Sequence, residues 1–249
     1  MGFACDMKFN WQSPFLLTAL LLLSPVFSIR AQDAAPSTNA ISGDNATNDA
    51  VTLKDLMSSN NIVTNTVGVV LVKISPGLWA GKYEMTQDAY QKVMHLNPSA
   101  FQGRQNPVDS VSWNDAMAFC QKLTAKEQTA KELPDGYAYT LPTEAQWQML
   151  VGDASLKDAV MVLNGNSHSS TSPVGSLGPN SLGLYDTRGN VMEWCLDSHD
   201  PTYRVLRGGA WDTSIEVNSR IEFRWYSGSL DEKKNSFGFR VVLEQGGTN

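Results

Sequence analysis

From Pro14 to Phe27 the chain is apolar almost without interruption (PFLLTALLLLSPVF), with Lys8 before the run and Ser28-Ile29-Arg30-Ala31 after it. A basic start, a short apolar middle and a small residue at the cut predict a secretory signal over 1–31. The run is too short to span a membrane comfortably. Over 32–60 the apolar period disappears and Ala, Ser, Thr, Asn and Asp dominate, which predicts a flexible linker. A short helical pattern at Val51 to Met57 leads into a domain expected over 61–249.

Val67 to Ile74 (VGVVLVKI) is β-branched and apolar and predicts a strand that ends at Ser75-Pro76-Gly77. Thr86 is placed to cap a helix through about Met94, with Tyr90 and Met94 on one face. Ser112 caps a second helix to about Lys126, its inner face carrying Ala116, Phe119, Cys120 and Leu123. A third begins at Thr143, where Leu141-Pro142 stops the preceding strand and Glu144 sits in the first turn, favoured by the helix dipole. Trp147, Leu150 and Val151 form its apolar face. After Gly152 the helical period fades, and glycines at 165, 175, 178, 183, 189, 208, 209, 228 and 238 punctuate short strands and turns. The pattern predicts an α+β fold, poor in regular structure and organised around buried tryptophans.

Composition narrows the function classes. The 249 residues are 42% hydrophobic, enough for one sizeable core, and the net charge is −6 with no lysine or arginine run. Nucleic-acid binding is not expected, because neutralising a phosphate backbone needs clustered cations. Once a signal is removed only Cys120 and Cys195 remain, which is no disulfide framework; each adjoins a bulky apolar residue and reads as a buried, inert thiol. His95, His168 and His199 have no metal-ligand spacing, although Asp197 and Asp200 make His199 the best of the three as a ligand. Asp109, Asp115 and Glu144 read as turn and helix-start residues, and Arg207, Arg220, Arg224 and Arg240 as ion-pair partners.

Six segments then stand in order: Gly81 to Thr86 (GKYEMT), Val111 to Ala116 (VSWNDA), Leu141 to Trp147 (LPTEAQW), Ser181 to Trp194 (SLGLYDTRGNVMEW), Arg207 to Trp211 (RGGAW) and Asn235 to Arg240 (NSFGFR). In this order they resemble the formylglycine-generating enzyme family, also called the sulfatase-modifying-factor domain. The resemblance implies a single domain of that type, a C-type-lectin-like fold variant. It also implies a structural calcium site at Asp186, Gly189, Val191 and Glu193, two carboxylates and two backbone carbonyls of the kind a hard cation takes. Read without the resemblance, Glu193 pairs with an arginine and Asp186 ends a turn. The family's second calcium site falls on Leu163 to Ser172, which is shortened here and offers only Asn164 and Asn166.

The copper-dependent members of the family follow the Gly-Gly turn with two cysteines that bind copper(I), a soft ion preferring thiolates. Here those positions are Thr213 and Asn218, so copper and formylglycine formation are not expected. The chain is then expected to be an exported, periplasmic or extracellular module, calcium-stabilised, that binds a protein, peptide or glycan. No stable membrane span should remain after signal cleavage. Its groove would be walled by Trp211, Arg220, Arg224, Trp225 and Tyr226, where aromatics and arginines supply contact area and hydrogen bonds; for Trp211 and Trp225 core packing is the competing role. The alternative is a metal-dependent oxidoreductase of the same family acting on a protein or small molecule.

Overall fold

The structure, a computed structural model, describes residues 51–162, 169–198, 203–227 and 229–246. The expected signal, most of the expected linker, Asn164, Asn166, His168 and His199 lie outside the described residues.

The domain begins earlier than the hydropathy pattern suggested. Helix α1 (Leu53–Ser59) starts in a capping box between Thr52 and Asp55 and buries Leu53 and Met57 in the main core. Glu132 holds it down: its carboxylate accepts from the Leu53 N–H at 2.7 Å and its carbonyl from the Lys54 N–H at 2.8 Å. The stretch just before residue 61 is therefore part of the fold, not linker. The short helical pattern read at Val51 to Met57 is this helix, and what the pattern could not show is its docking, because the partner Glu132 lies far along the chain.

Strands β1 (Ile62–Thr64), β2 (Val70–Ser75) and β3 (Leu78–Gly81) follow as an antiparallel meander, turning at the glycine after Pro76. Helix α2 (Gln87–Met94) is capped by Thr86 and closes on His95 in a left-handed conformation. Helix α3 (Trp113–Thr129) starts in a Ser112–Asp115 capping box and buries Ala116, Phe119, Cys120 and Leu123. Strand β4 (Tyr137–Thr140) leads into helix α4 (Glu144–Val151), capped by Thr143 and buried through Trp147, Leu150 and Val151. In all three helices a side-chain oxygen takes one of the orphan N–H groups of the first turn.

The second half contributes β5 (Met192–Ser198), β6 (Arg204–Arg207), β7 (Trp225–Ser227), β8 (Phe237–Gly238) and β9 (Val242–Gln245). Two sheets result. The first runs β1-β2-β3-β9-β4, antiparallel throughout, and carries the chain's last strand into its middle; the second runs β7-β6-β5-β8, with only β5–β8 parallel. The core is aromatic: Tyr90 stacks on Phe119 (5.5 Å, 8°), Phe239 meets Phe119 edge-on at 5.5 Å, and Trp194 meets Phe237 at 5.4 Å. This is the α+β, sparsely regular, C-type-lectin-like architecture that the sequence implied.

Candidate functional site

Sheet two turns at Gly208 and Gly209, with φ of 96° and 72°, a region that favours glycine. A Cβ on Gly209 would lie 2.7 Å from Met161 Cε, the movable end of a flexible side chain, so it is the positive φ more than lack of space that calls for glycine there. Ala210 and Thr213 close the turn reciprocally: the Ala210 N–H donates to Thr213 Oγ1 at 2.9 Å and the Thr213 N–H to the Ala210 carbonyl at 3.0 Å. Beyond the turn opens a cleft of about 250 Å³. Met192, Trp225 and Phe237 give it apolar surface, and Thr213, Asn218, Ser236 and Asp212 give it polar surface. Lys234 stands at its side with Nζ 5.0 Å from the Trp225 ring centre and 5.1 Å from that of Phe237, an ammonium held over two aromatic faces. Burial pushes the Asp212 carboxyl above the usual range, with Lys234 opposing the shift.

Thr213 and Asn218, the two positions at which the family resemblance expects cysteines, thus line one cleft. The expected groove residues divide. Trp225 lines the cleft. Trp211 is half-buried, meets Phe101 edge-on at 5.1 Å and donates from Nε1 to the Asn235 carbonyl at 3.1 Å, which makes it a support for the turn. Arg224 is exposed and ion-paired with Glu144. Arg220 is exposed, and Tyr226 registers opposite Val205 in the β6–β7 pair. Met192, Lys234 and Ser236 carry no sequence signal of their own, although Met192 and Ser236 belong to the fourth and the last of the six segments.

The expected cation set is brought together, in a different role. Glu193 and Arg240 form a buried pair, Oε1 2.7 Å from Nη2, with Nε donating to both carboxylate oxygens at 2.8 and 2.9 Å. Trp147 Nε1 donates to Oε2 at 2.9 Å. Asp186, in a left-handed conformation at φ 52°, accepts from the Gly175 N–H at 2.7 Å. Gly189 is forced by geometry, since a Cβ there would lie 2.7 Å from the Val160 carbonyl oxygen. The Val191 N–H donates to Glu84 Oε1 at 3.0 Å, and Asn190 Nδ2 donates to Glu84 Oε2 at 2.7 Å. Glu84 was not singled out in the sequence, despite lying in the first of the six segments.

Burial, then the fields of Asp186 and Glu193, push the Glu84 carboxyl well above the ordinary range, and burial also raises Asp186. Burial works against the Arg240 charge, but Glu193 outweighs it and raises its pKa. The donor set does not fit the expected calcium ion: both oxygens of Glu193 already face a guanidinium and an indole N–H, leaving Asp186 as the set's one carboxylate. Among the described residues no three His, Cys, Asp or Glu side chains are arranged to hold a metal ion. Cys120 and Cys195 are free, buried and outside the cleft, with burial raising both thiol pKa values.

Of the acids and arginines read as structural, Asp109, Asp115, Glu144, Arg207, Arg224 and Arg240 have structural partners. Asp109 accepts from the Ala100 and Phe101 N–H groups at 2.7 and 3.3 Å, and Asp115 closes the cap of α3. Glu144 holds the buried Arg207 at 2.9 Å, and the Arg207 guanidinium lies over Trp147 at 4.9 Å. No helix among the described residues is long and apolar enough to cross a membrane.

Comparison with known proteins bears on the family and the fold. A formylglycine-generating enzyme of Streptomyces coelicolor is 31% identical, the match covering 56% of this chain and 54% of that enzyme, so the chain spans about half its length. The chaperone protein LppX of Paenibacillus barcinonensis is 28% identical over 56% of this chain and 71% of its own. Among solved structures, Treponema denticola variable protein 1 superposes with a TM-score of 0.56 at 28% identity, covering 67% of this chain and 84% of that one. The family model for the sulfatase-modifying factor enzyme 1-like domain matches residues 30–245, and the chain belongs to that family.

Proposed function

We propose that this is an exported protein whose sulfatase-modifying-factor domain binds a protein or peptide ligand in the Thr213–Trp225–Lys234 cleft, without making formylglycine. One observation carries the reading. The cleft is present where the family's two cysteines belong, yet it offers a threonine hydroxyl and an amide in their place. The Thr213 oxygen, in a side chain 5% exposed, is already engaged by the Ala210 N–H. Neither a hydroxyl nor an amide replaces a thiolate toward copper(I). What remains suits recognition: aromatic and thioether surface, the Lys234 ammonium paired with Glu232 at 2.9 Å, and several hydrogen-bonding side chains. Exposed Ile215 and Val217 beside it extend the apolar contact area. A relative named as a chaperone is compatible with such a role, since chaperones act through binding.

The structural part expected of calcium falls in this proposal to the Glu193–Arg240 pair, which supplies a buried positive charge at the same turn. The test is selection of peptides from a displayed library against the purified protein. Binders should lose at least about tenfold in affinity on Trp225→Ala, in line with truncation of an aromatic anchor. In parallel, the protein is incubated with copper(I), oxygen and a cysteine-containing sulfatase peptide. Appearance of a hydrazide-reactive aldehyde would replace this reading with the oxidoreductase.

A further inference from the structure

A second recess lies on sheet one and shares no residue with the cleft. Two adjoining hollows of about 410 and 460 Å³ meet at Lys54 and Pro134, between α1, the β2–β3 turn and the loop entering β4. Tyr137, Pro76 and Pro134 offer flat apolar faces, and Trp79 forms part of the floor with Lys73 Nζ 5.8 Å from its ring centre. Lys54, Lys73 and Lys131 line the recess, are exposed, and make no ion pair among the described residues. In a chain of net charge −6, three unpaired ammonium groups around one apolar floor are a local reversal of sign. Asp135 also lines it, and Glu132 nearby is committed to the start of α1.

The occupant must be anionic and must present flat apolar faces. An acidic peptide laid down as an added strand is disfavoured, because the backbone around the recess is already paired. The Gly77 carbonyl accepts from Gln245 at 2.9 Å, the Gly136 carbonyl from Gly246 at 2.8 Å, and the Lys73 N–H donates to Asn61 at 2.8 Å. Strand addition depends on free main-chain groups. Sugar rings need none: their C–H faces lie on aromatic and proline surfaces while their acid groups reach the lysines, point charges on flexible stems. We propose that this recess binds an acidic oligosaccharide, its rings on Tyr137, Pro76 and Pro134 and its acid groups at Lys54, Lys73 and Lys131.

The test is calorimetric titration of the full chain with tetragalacturonate and with a heparin tetrasaccharide, with maltotetraose and hexaglutamate as comparisons. At least one acidic sugar should bind, more weakly as salt rises, while maltotetraose does not. The triple variant Lys54→Gln/Lys73→Gln/Lys131→Gln, whose melting temperature verifies its fold, should bind about tenfold more weakly, the combined loss of three exposed ionic contacts. Tyr137→Ala should weaken binding too, and Trp225→Ala in the cleft should leave it unchanged, which separates this site from the proposed peptide cleft. Three outcomes overturn the assignment: neither acidic sugar binds, the triple variant binds as well as the parent, or hexaglutamate binds as tightly as the sugars.

Discussion

Glu193 and Arg240 lie 47 residues apart in sequence and meet in the interior, with the carboxylate 1% and the guanidinium 0% exposed. The guanidinium does more than neutralise one acid. It donates through Nη1 to the Gly81 carbonyl at 3.0 Å and through Nη2 to the Tyr185 carbonyl at 2.8 Å, and so ties β3, the Asp186 turn and β5 together. Glu84 and Asp186 lie within its field as well.

Removing that cation should be among the most damaging single changes in the domain. Arg240→Met leaves buried Glu193 without its counter-charge beside the buried Glu84 and Asp186 carboxyls, and breaking a buried pair from one side costs about 3–5 kcal/mol. Glu193→Gln should cost less than Arg240→Met, because the amide oxygen still accepts from Trp147 and the Arg240 cation keeps the Gly81 and Tyr185 carbonyls and the fields of Glu84 and Asp186. Urea unfolding of the two variants checks the order; a loss below about 1 kcal/mol for Arg240→Met would show that the pair does not organise the core.

The same pair decides the response to calcium. A ligand present at about 100 times its Kd adds about 2.7 kcal/mol of stability, which raises Tm by several degrees. With Glu193 occupied by Arg240 no such gain is expected, and melts in millimolar calcium and in excess chelator should coincide. A calcium-dependent rise in Tm would return Asp186, Gly189, Val191 and Glu193 to the role of ion ligands.

The sequence was most legible where structure is local. Thr86, Ser112 and Thr143 were readable as caps because a cap and the N–H it serves lie within one helical turn. The buried faces of α3 and α4 followed from their period. The role of Glu193 was not readable: without the resemblance it was an arginine's partner, with it a calcium ligand, and only distances choose between them. Trp211 and Trp225 looked equivalent as groove walls, yet one braces a turn and the other lines the cleft. Trp225 stands on β7 opposite Leu206 of β6, while Trp211 follows the Gly208–Gly209 turn, and no local pattern encodes that difference.

Glu127 offers a pH test away from both sites. It is fully buried, accepts from the Tyr139 hydroxyl at 2.7 Å and from the Thr66 hydroxyl at 2.9 Å, and burial raises its pKa despite those bonds. The folded state therefore holds this proton to a higher pH than the unfolded chain. Its contribution is full below the unfolded value, about 4.3, and is lost as pH rises through the folded one. Glu127→Gln keeps an acceptor for Tyr139 and removes the titration. The stability of the variant relative to the parent should therefore rise from acid toward neutral pH, read as a difference in urea midpoints at several pH values. A pH-independent difference would mean that the carboxyl does not titrate differently on folding.

Restoring the missing thiols tests whether the cleft is still the family's reaction site in shape. Thr213 and Asn218 line the same recess beside the Gly208–Gly209 turn. Copper(I) prefers paired thiolates, so the double variant Thr213→Cys/Asn218→Cys should retain copper(I) through dialysis, while the parent and each single variant should not. The cost in stability should stay near that of one hydrogen bond, about 0.5–1.5 kcal/mol, because Thr213→Cys loses a good acceptor for the Ala210 N–H. Metal content by mass spectrometry, beside the urea midpoints, gives both readings from one set of proteins. Copper held only by the double variant would mean that the cleft kept its geometry when its chemistry changed. A folded double variant that holds none would mean that the turn has drifted, and that ligand selection has reshaped the cleft beyond the loss of two sulfur atoms.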